Sequence, residues 1–354
     1  MYIVFYISSH GFGHMTRCLA IIENILKNTN YNIYIACGSI QNEFARLCLQ
    51  EYKNRVIYSD IVTDIGFVNK KNSLEVDIEK LESKLKQFIN SWGNTCELEY
   101  NKLKNLDIKY IITDISPIGC ILGKKLDRKV ILISNFTWIE QYRNLNIDKN
   151  IIHEFEKSYK SVNVFIRYEL CLPITNMNIE DKKDIGFICR QIDLKKVSRI
   201  KEKYGESIFI TCGKSATLNT INIKNYNKTI FTTSGINIVA DKGVNIVELP
   251  INIEDTQNYI AAGEMIISKA GWGTIGESLI SHTPMLLIKR ETAIEDTFNI
   301  SKLEDKNLAI SIHENDLTDL DIKKLMKRVK NKICYNELNK YKNDVENLVK
   351  ILIN

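Results

Sequence analysis

Short apolar runs alternate with longer amphipathic segments along almost the whole chain. Runs at 2–8, 32–36, 55–58, 110–113, 129–133 and 162–166 are short and rich in β-branched residues, so they read as buried strands. Patterns of helical period lie between them, for example at 16–26 and 74–104. The second of these is long, charged and amphipathic, and is expected to wrap the outside of a domain or overhang a cleft. The alternation then restarts, with strands expected at 207–211, 229–232, 245–248, 265–268 and 285–288 and helices at 274–281 and 297–305. Strands that alternate with helices need crossover connections, so the expected class is α/β with parallel sheets.

A polar, charge-rich stretch at 180–184, followed by 193–204, separates the two sets. The expected organisation is a first doubly wound domain over 1–192 and a second over 193–334. A closing amphipathic helix at 335–354 is expected to rejoin the first. Two such domains imply a ligand cleft between them, at the carboxyl ends of both sheets.

Composition narrows the class. A chain of 354 residues with 44% hydrophobic and 26% charged residues can bury two ordinary cores, which excludes disorder. The net charge of +5, from 48 basic and 43 acidic side chains, is too balanced for a nucleic-acid partner. Nine cysteines occur without a CxxC pair, which favours reduced thiols and a cytoplasmic location over a disulfide framework or a zinc site. The opening MYIVFYISS lacks a basic leader and reads as a strand instead of a signal peptide. No apolar run reaches the roughly 18 residues of a spanning helix. A basic amphipathic helix around Ile322, Leu325, Met326 and Val329 carries Lys323, Lys324, Lys327, Arg328 and Lys330. It reads as the solvated face of a packed helix, with peripheral contact to an anionic membrane as the alternative.

Four stretches carry candidate chemistry. The first, Ser9-His10-Gly11-Phe12-Gly13-His14-Met15-Thr16-Arg17, follows the first strand and precedes a helix. Its glycines allow a tight turn and close approach of backbone amides to a ligand, but its spacing is not that of a nicotinamide dinucleotide fingerprint. His14 can serve there as a base, or can cap the helix. In the second, Asp114 ends a strand before Ser116-Pro117; it can orient an imidazole or act as an N-cap. The third runs from Ile266 to Leu279 and contains Lys269-Ala270-Gly271-Trp272-Gly273-Thr274-Ile275-Gly276-Glu277. A helix opening at Thr274 would offer amides and a dipole to a diphosphate, with Lys269 beside it and Glu277 for a ribose. The competing reading is a capping box that pairs Thr274 with Glu277. The fourth, Thr211-Cys212-Gly213-Lys214-Ser215, lacks the upstream glycine of a Walker A loop, because that position is Ile208. It remains a small-residue turn able to line a phosphate pocket.

At these residues the sequence resembles the GT-B UDP-glycosyltransferases. The stretch Lys269–Glu277, then Pro284-Met-Leu-Leu and Glu295-Asp-Thr-Phe-Asn299, is similar to their donor-binding signature, and Leu249-Pro250-Ile251 to their base-contacting loop. The resemblance implies that Thr274 meets the diphosphate, Glu277 the ribose, and Glu295 and Asp296 the donor sugar. Lys269 stands where that family has a phosphate-contacting histidine, and Gly273 where it has a polar residue. The stretches His10–Arg17, Asp114–Cys120, Asn135-Phe-Thr-Trp138 and Gly271-Trp-Gly-Thr274 are similar to the glycosyltransferase-like N-terminal half of L-arabinokinase-like proteins. The kinase half of those proteins has no counterpart here. Gly13-His-Met-Thr-Arg-Cys18 also resembles the loop of a UDP-sugar hydrolase of pseudaminic acid synthesis. In these families the histidine matching His14 is the base, and in the transferases the acid matching Asp114 is its partner.

The resemblance thus implies a GT-B transferase with two Rossmann-like domains that moves a sugar from a nucleoside diphosphate sugar to a hydroxyl. Gly213, Ser215, Lys269, Gly271, Gly273, Thr274, Glu277, Glu295 and Asp296 would bind the donor. His10, Gly11, Gly13 and Arg17 would form the acceptor-side loop around His14, with Asp114 behind it. No DxD motif is read beside an expected strand end, so no metal and no cofactor beyond the sugar nucleotide is expected. A nucleotide-sugar hydrolase and a non-catalytic nucleotide-sugar binder are the alternatives.

Overall fold

The apolar runs form parallel strands whose order places each functional loop. The computed structural model describes every residue except 72, 74, 176, 178, 213–219, 251 and 354. It divides into a first unit of Met1–Val68, Val76–Gly186 and Asp344–Asn354, and a second of Asn69–Glu75 and Phe187–Asn343. The boundary therefore falls at 186/187, ahead of the expected 192, and the chain returns to the first unit at 344 instead of 335.

In the first unit β1 (Tyr2–Ile7), α1 (Gly13–Asn28), β2 (Asn32–Cys37), α2 (Ser39–Cys48) and β3 (Val56–Asp60) alternate as the pattern requires. They are followed by α3 (Ile78–Leu103), β4 (Ile108–Asp114), α4 (Pro117–Lys125) and β5 (Val130–Ser134). Two helices, α5 (Trp138–Asn144) and α6 (Lys149–Tyr159), then precede β6 (Val164–Tyr168) and β7 (Asp181–Ile185). The strands make one parallel sheet in the order β3-β2-β1-β4-β5-β6-β7. Strand β5 is buried along its whole length, as expected of a sheet covered on both faces. Strand β7 is the charge-rich stretch that reads in the sequence as a linker. It is the sheet edge, and only Ile185 of its five residues is buried, so charges there cost nothing and discourage further pairing.

The second unit contains α7 (Leu194–Tyr204), β8 (Ser207–Thr211), β9 (Ile221–Lys224), β10 (Thr229–Thr233), β11 (Ile238–Ala240) and β12 (Asn245–Leu249). It continues through α8 (Thr256–Ala262), β13 (Met265–Lys269), α9 (Trp272–Ile280), β14 (Met285–Lys289), α10 (Ile294–Asp305) and β15 (Ala309–His313). It ends with β16 (Leu320–Asp321), α11 (Ile322–Lys332) and the short α12 (Tyr335–Leu338). Six strands form a parallel sheet in the order β12-β10-β8-β13-β14-β15, and β11-β9-β16 form a small one. Neither β15 nor the small sheet is among the strands expected from the sequence, although four of the five residues of β15 are buried; the strands of the small sheet are only two to four residues long. On α11, Ile322 and Val329 are buried and the basic side chains are exposed, which is the solvated-face arrangement. Among the described residues, no helix is long and apolar enough to cross a membrane.

Helix α13 (Val345–Ile353) closes the first unit by packing on α1. Tyr110 donates its hydroxyl to the Leu352 carbonyl at 2.7 Å, and the Gly186 amide donates to Asp344 Oδ2 at 2.9 Å. The long α3 is anchored to the sheet by Glu99, which has no exposed surface. Its carboxylate accepts from Tyr6 Oη at 2.9 Å, Tyr34 Oη at 3.0 Å, Ser59 Oγ at 2.7 Å and Lys102 Nζ at 2.8 Å. A buried acid with this many donors is an acceptor that no neutral residue replaces. Glu99→Gln should therefore cost about 2 to 3 kcal/mol in denaturant unfolding of the chain. A cost near zero would show that the network does not hold α3.

Candidate functional site

In an open parallel sheet, ligands bind beyond the carboxyl ends of the strands where the strand order reverses. In the first unit that point lies between β1 and β4, and Ile7 at the end of β1 pairs with Asp114 at the end of β4. The loop after β1 turns through Gly11 at φ +69°, a conformation that favours glycine, and α1 begins at Gly13. A Cβ added at Gly13 would meet nothing within 4 Å. His14 follows in the first turn of α1. It does not cap that helix, whose N-cap is Phe12 with no side-chain bond. Asp114 is not the cap of α4 either, since that position is Ser116. The residue between them, Ile115, sits at φ +56°, unusual for a β-branched side chain and characteristic of functional turns.

His14 and Asp114 meet. Nδ1 of His14 lies 3.1 Å from Asp114 Oδ1, and both side chains are buried. Arg17, one helical turn further along α1, joins them. Its Nε donates to Asp114 Oδ2 at 2.7 Å, its Nη2 reaches Asp114 Oδ1, and its Nη1 donates to Asn135 Oδ1 at 2.9 Å. Expected in an acceptor-side loop, Arg17 is only 3% exposed and is committed to Asp114, because a carboxylate buried at a strand end needs a cation. Burial alone would raise the Asp114 pKa, but Arg17 and then His14 outweigh it and hold the carboxyl well below its usual range. Burial, then the negative charge of Asp114, pushes the Cys18 thiol up, so Cys18 stays protonated and donates to Asp114 Oδ2 at 3.3 Å. Arg17 Nη2 is also 2.8 Å from His14 Nδ1. A guanidinium only donates, so the proton on Nδ1 depends on whether Asp114 or Arg17 is its partner.

A second buried acid, absent from the sequence-derived set, supports the same loop. Asp64 follows β3 and accepts the Ser9 amide at 2.9 Å and Trp138 Nε1 at 2.8 Å. His10 is half-buried and packs edge-on against Phe67 and Trp138, with centroids 5.7 and 5.8 Å away. Burial pushes the Asp64 carboxyl up to about 7, against the opposing pull of Ser8, Trp138 and the Ser9 amide. Nothing in the local sequence around Asp64 marks it, since its partners lie 55 and 74 positions away.

In the second unit the strand order reverses between β8 and β13. The turn after β8 carries Gly213 and Ser215, which lie outside the described residues. The turn after β13 leads into α9, which starts at Trp272 with Gly271 as N-cap, two residues ahead of the expected Thr274. No side chain caps it, so the pairing of Thr274 with Glu277 is not formed. Gly271, Gly273 and Thr274 are partly exposed, and the first-turn amides point out of a helix long enough to carry a dipole. Trp272 is buried and stacked on Phe187 at 5.2 Å, which fixes the turn. Half-buried Lys269 ends β13; burial, then the neighbouring Arg290, lowers its pKa.

Glu277 points the other way from a capping box. It is 8% exposed, and its Oε1 lies 3.7 Å from Nη2 of the buried Arg190. Burial raises its pKa and Arg190 opposes the rise. Glu295 and Asp296, expected as a pair facing the donor sugar, separate. Glu295 is half-buried, whereas Asp296 has no exposed surface and accepts from Arg290 Nε at 2.6 Å and Nη2 at 2.7 Å. Helical phase turns adjacent residues roughly 100° apart, so α10 sends one side chain outward and the other into the core. Asn299 ties the same helix to the turn after β13 by donating to the Ala270 carbonyl at 3.0 Å.

These two Rossmann-like halves form a GT-B fold. The chain is similar to Arabidopsis thaliana UGT89C1 complexed with UDP, at TM-score 0.67 and 12% identity, over 99% of this chain and 98% of that one. It is also similar to Acinetobacter baumannii MurG, at TM-score 0.54 and 11% identity, over 99% of each chain. Residues 1–330 match Glycosyl transferase family 1, and the chain belongs to that family. Among curated relatives, L-arabinokinase of Arabidopsis thaliana is 21% identical over 330 residues, which are 88% of this chain and 30% of that protein. The chain thus spans under a third of that relative's length. An uncharacterized glycosyltransferase of Methanosarcina acetivorans is 24% identical over 335 residues, 86% of this chain and 84% of that protein.

Asp64 makes the electrostatics testable through pH. Its folded-state pKa lies above its unfolded value of about 3.9, so between about pH 4 and 7 the unfolded chain has released a proton that the folded one retains. Its contribution to stability therefore falls as pH rises through that window and levels off above it. Asp64→Asn should remove this component, making the difference in unfolding free energy between pH 4.5 and pH 7 more favourable to the higher pH than in the wild type. The same pH dependence of unfolding free energy in the two proteins, measured by urea unfolding at each pH, would contradict the assignment.

Proposed function

We propose that this protein transfers a sugar from a UDP-sugar to an acceptor hydroxyl. The observation that carries the reading is the buried His14–Asp114 contact of 3.1 Å at the reversal of strand order, in a chain of Glycosyl transferase family 1. Asp114 accepts the Nδ1 proton of His14 and stabilises the imidazolium that forms; Nε2 then removes the acceptor's hydroxyl proton. His10, Gly11 and Gly13 line the acceptor side of this base.

The donor lies on the second unit. Amides of Gly273 and Thr274, the Thr274 hydroxyl and the dipole of α9 hold the diphosphate, with Lys269 as a nearby cation. Charge that develops on the departing diphosphate is met by these fixed donors, whose orientation needs no rearrangement during reaction. Glu277 takes the ribose hydroxyls and Glu295 the donor sugar, while Asp296 serves to hold Arg290. The choice of UDP is supported by the fold shared with UGT89C1, which was solved with UDP.

Purified protein should bind UDP in calorimetry and release UDP from a UDP-sugar when an acceptor mixture is supplied. His14→Ala should lower the rate by roughly 10²- to 10⁴-fold with UDP affinity unchanged, and Asp114→Asn should act in the same direction. Full-rate release of free sugar without any acceptor would replace transfer by hydrolysis. Absence of UDP binding would overturn the donor assignment.

A further inference from the structure

Arg190 precedes α7 and appears in none of the sequence motifs, yet its side chain is 4% exposed and ends beside Glu277. Three separate elements of the second unit converge on this guanidinium. Its Nη2 is 3.7 Å from Glu277 Oε1 on α9 and 3.5 Å from Thr256 Oγ1, the first residue of α8. Its Nη1 donates to the Glu254 carbonyl in the loop that enters α8.

The backbone that carries Arg190 is itself pinned. Asn343 accepts the Cys189 amide at 3.3 Å and donates to the Cys189 carbonyl at 2.7 Å. Gln257 donates to the Gln191 carbonyl at 3.1 Å, and Asn258 accepts the Asp193 amide at 2.8 Å. Phe187 stacks on Trp272, in the first turn of α9. Arg190 thus starts from a rigid segment, and its guanidinium, fixed by Glu254 and Thr256, sets Nη2 3.7 Å from one carboxylate oxygen of Glu277, a placement a flexible ammonium would not keep.

Glu277 stands three residues beyond Thr274, so the two share a face of α9. The carboxylate therefore lies one helical turn along from the amides assigned to the diphosphate. A diol is bound by a carboxylate that accepts from both hydroxyls; a protonated acid would place a donor where an acceptor is needed. Burial favours the protonated form of Glu277, and the cation beside it opposes this.

We propose that Arg190 is the positioning residue that makes Glu277 a ribose reader: it aims the carboxylate, and so confers preference for ribonucleotides over 2′-deoxyribonucleotides. The inference rests on the donor reading given above. It goes further by naming the residue on which discrimination at the 2′-hydroxyl depends.

Calorimetric titration with UDP and 2′-deoxy-UDP tests it in the intact chain, without any acceptor or turnover. The wild type should prefer UDP by on the order of tenfold or more, as expected for hydrogen bonds to a charged group. In Arg190→Met that ratio should fall toward one. In Arg190→Lys, which keeps the charge but not the fork, the ratio should be intermediate. A purely structural role would weaken both ligands alike and leave their ratio unchanged, so a wild-type ratio in either folded variant overturns the proposal. Arg190→Lys serves as the test if the methionine variant does not fold. A wild type that binds UDP and 2′-deoxy-UDP equally would instead refute the ribose role of Glu277, and no UDP binding would refute the donor reading itself.

Discussion

A carboxylate taken out of water must be paired or it will not stay charged. That constraint recurs beside the functional loops of both halves. At the end of β4, Asp114 is held by Arg17 and touched by His14. On α10, Asp296 is held at both oxygens by Arg290, and on α9, Glu277 faces Arg190. In each case the arginine is itself buried, so its charge is spent locally. The consequence for chemistry is that Asp114, at the end of β4, remains an anion of fixed orientation. An imidazole next to such an anion can take a proton without its neighbour giving one up.

Strand order supplies the second constraint. Both large sheets are parallel and reverse direction once, between β1 and β4 and between β8 and β13. Loops leaving neighbouring strands at such a point diverge to opposite faces, which opens a space over the strand ends. The loop that carries His14 and the turn that carries Gly271 each leave one of those strands. Helices with no side-chain N-cap follow both loops, beginning at Gly13 and Trp272, so the positive ends of two helix dipoles stand at the strand ends.

Much of this was legible along the chain. Eleven strands could be read from apolar runs because buried parallel strands are continuously hydrophobic, as β5 and β8 are. His14, Asp114 and the Gly271–Glu277 turn could be singled out because each chemical group stands at the end of such a run. Strand β7 could not be found this way, since four of its five residues face solvent at the sheet edge and carry no apolar signal. Nor could the start of α9, where buried Trp272 extends the helix back beyond Thr274 by stacking on Phe187.

Side-chain pairing was decided only by the tertiary structure. Whether Asp114 would cap a helix or meet an imidazole turns on a contact made 100 positions away, and Arg17 reaches the same acid across 97. Glu277 fits a capping box by spacing alone, yet it faces Arg190, 87 positions before it in the chain. Periodicity along the chain reports which face of an element is buried, because burial acts on each residue separately. It carries no record of which buried charge neutralises which, because that is a property of pairs brought together by the sheet.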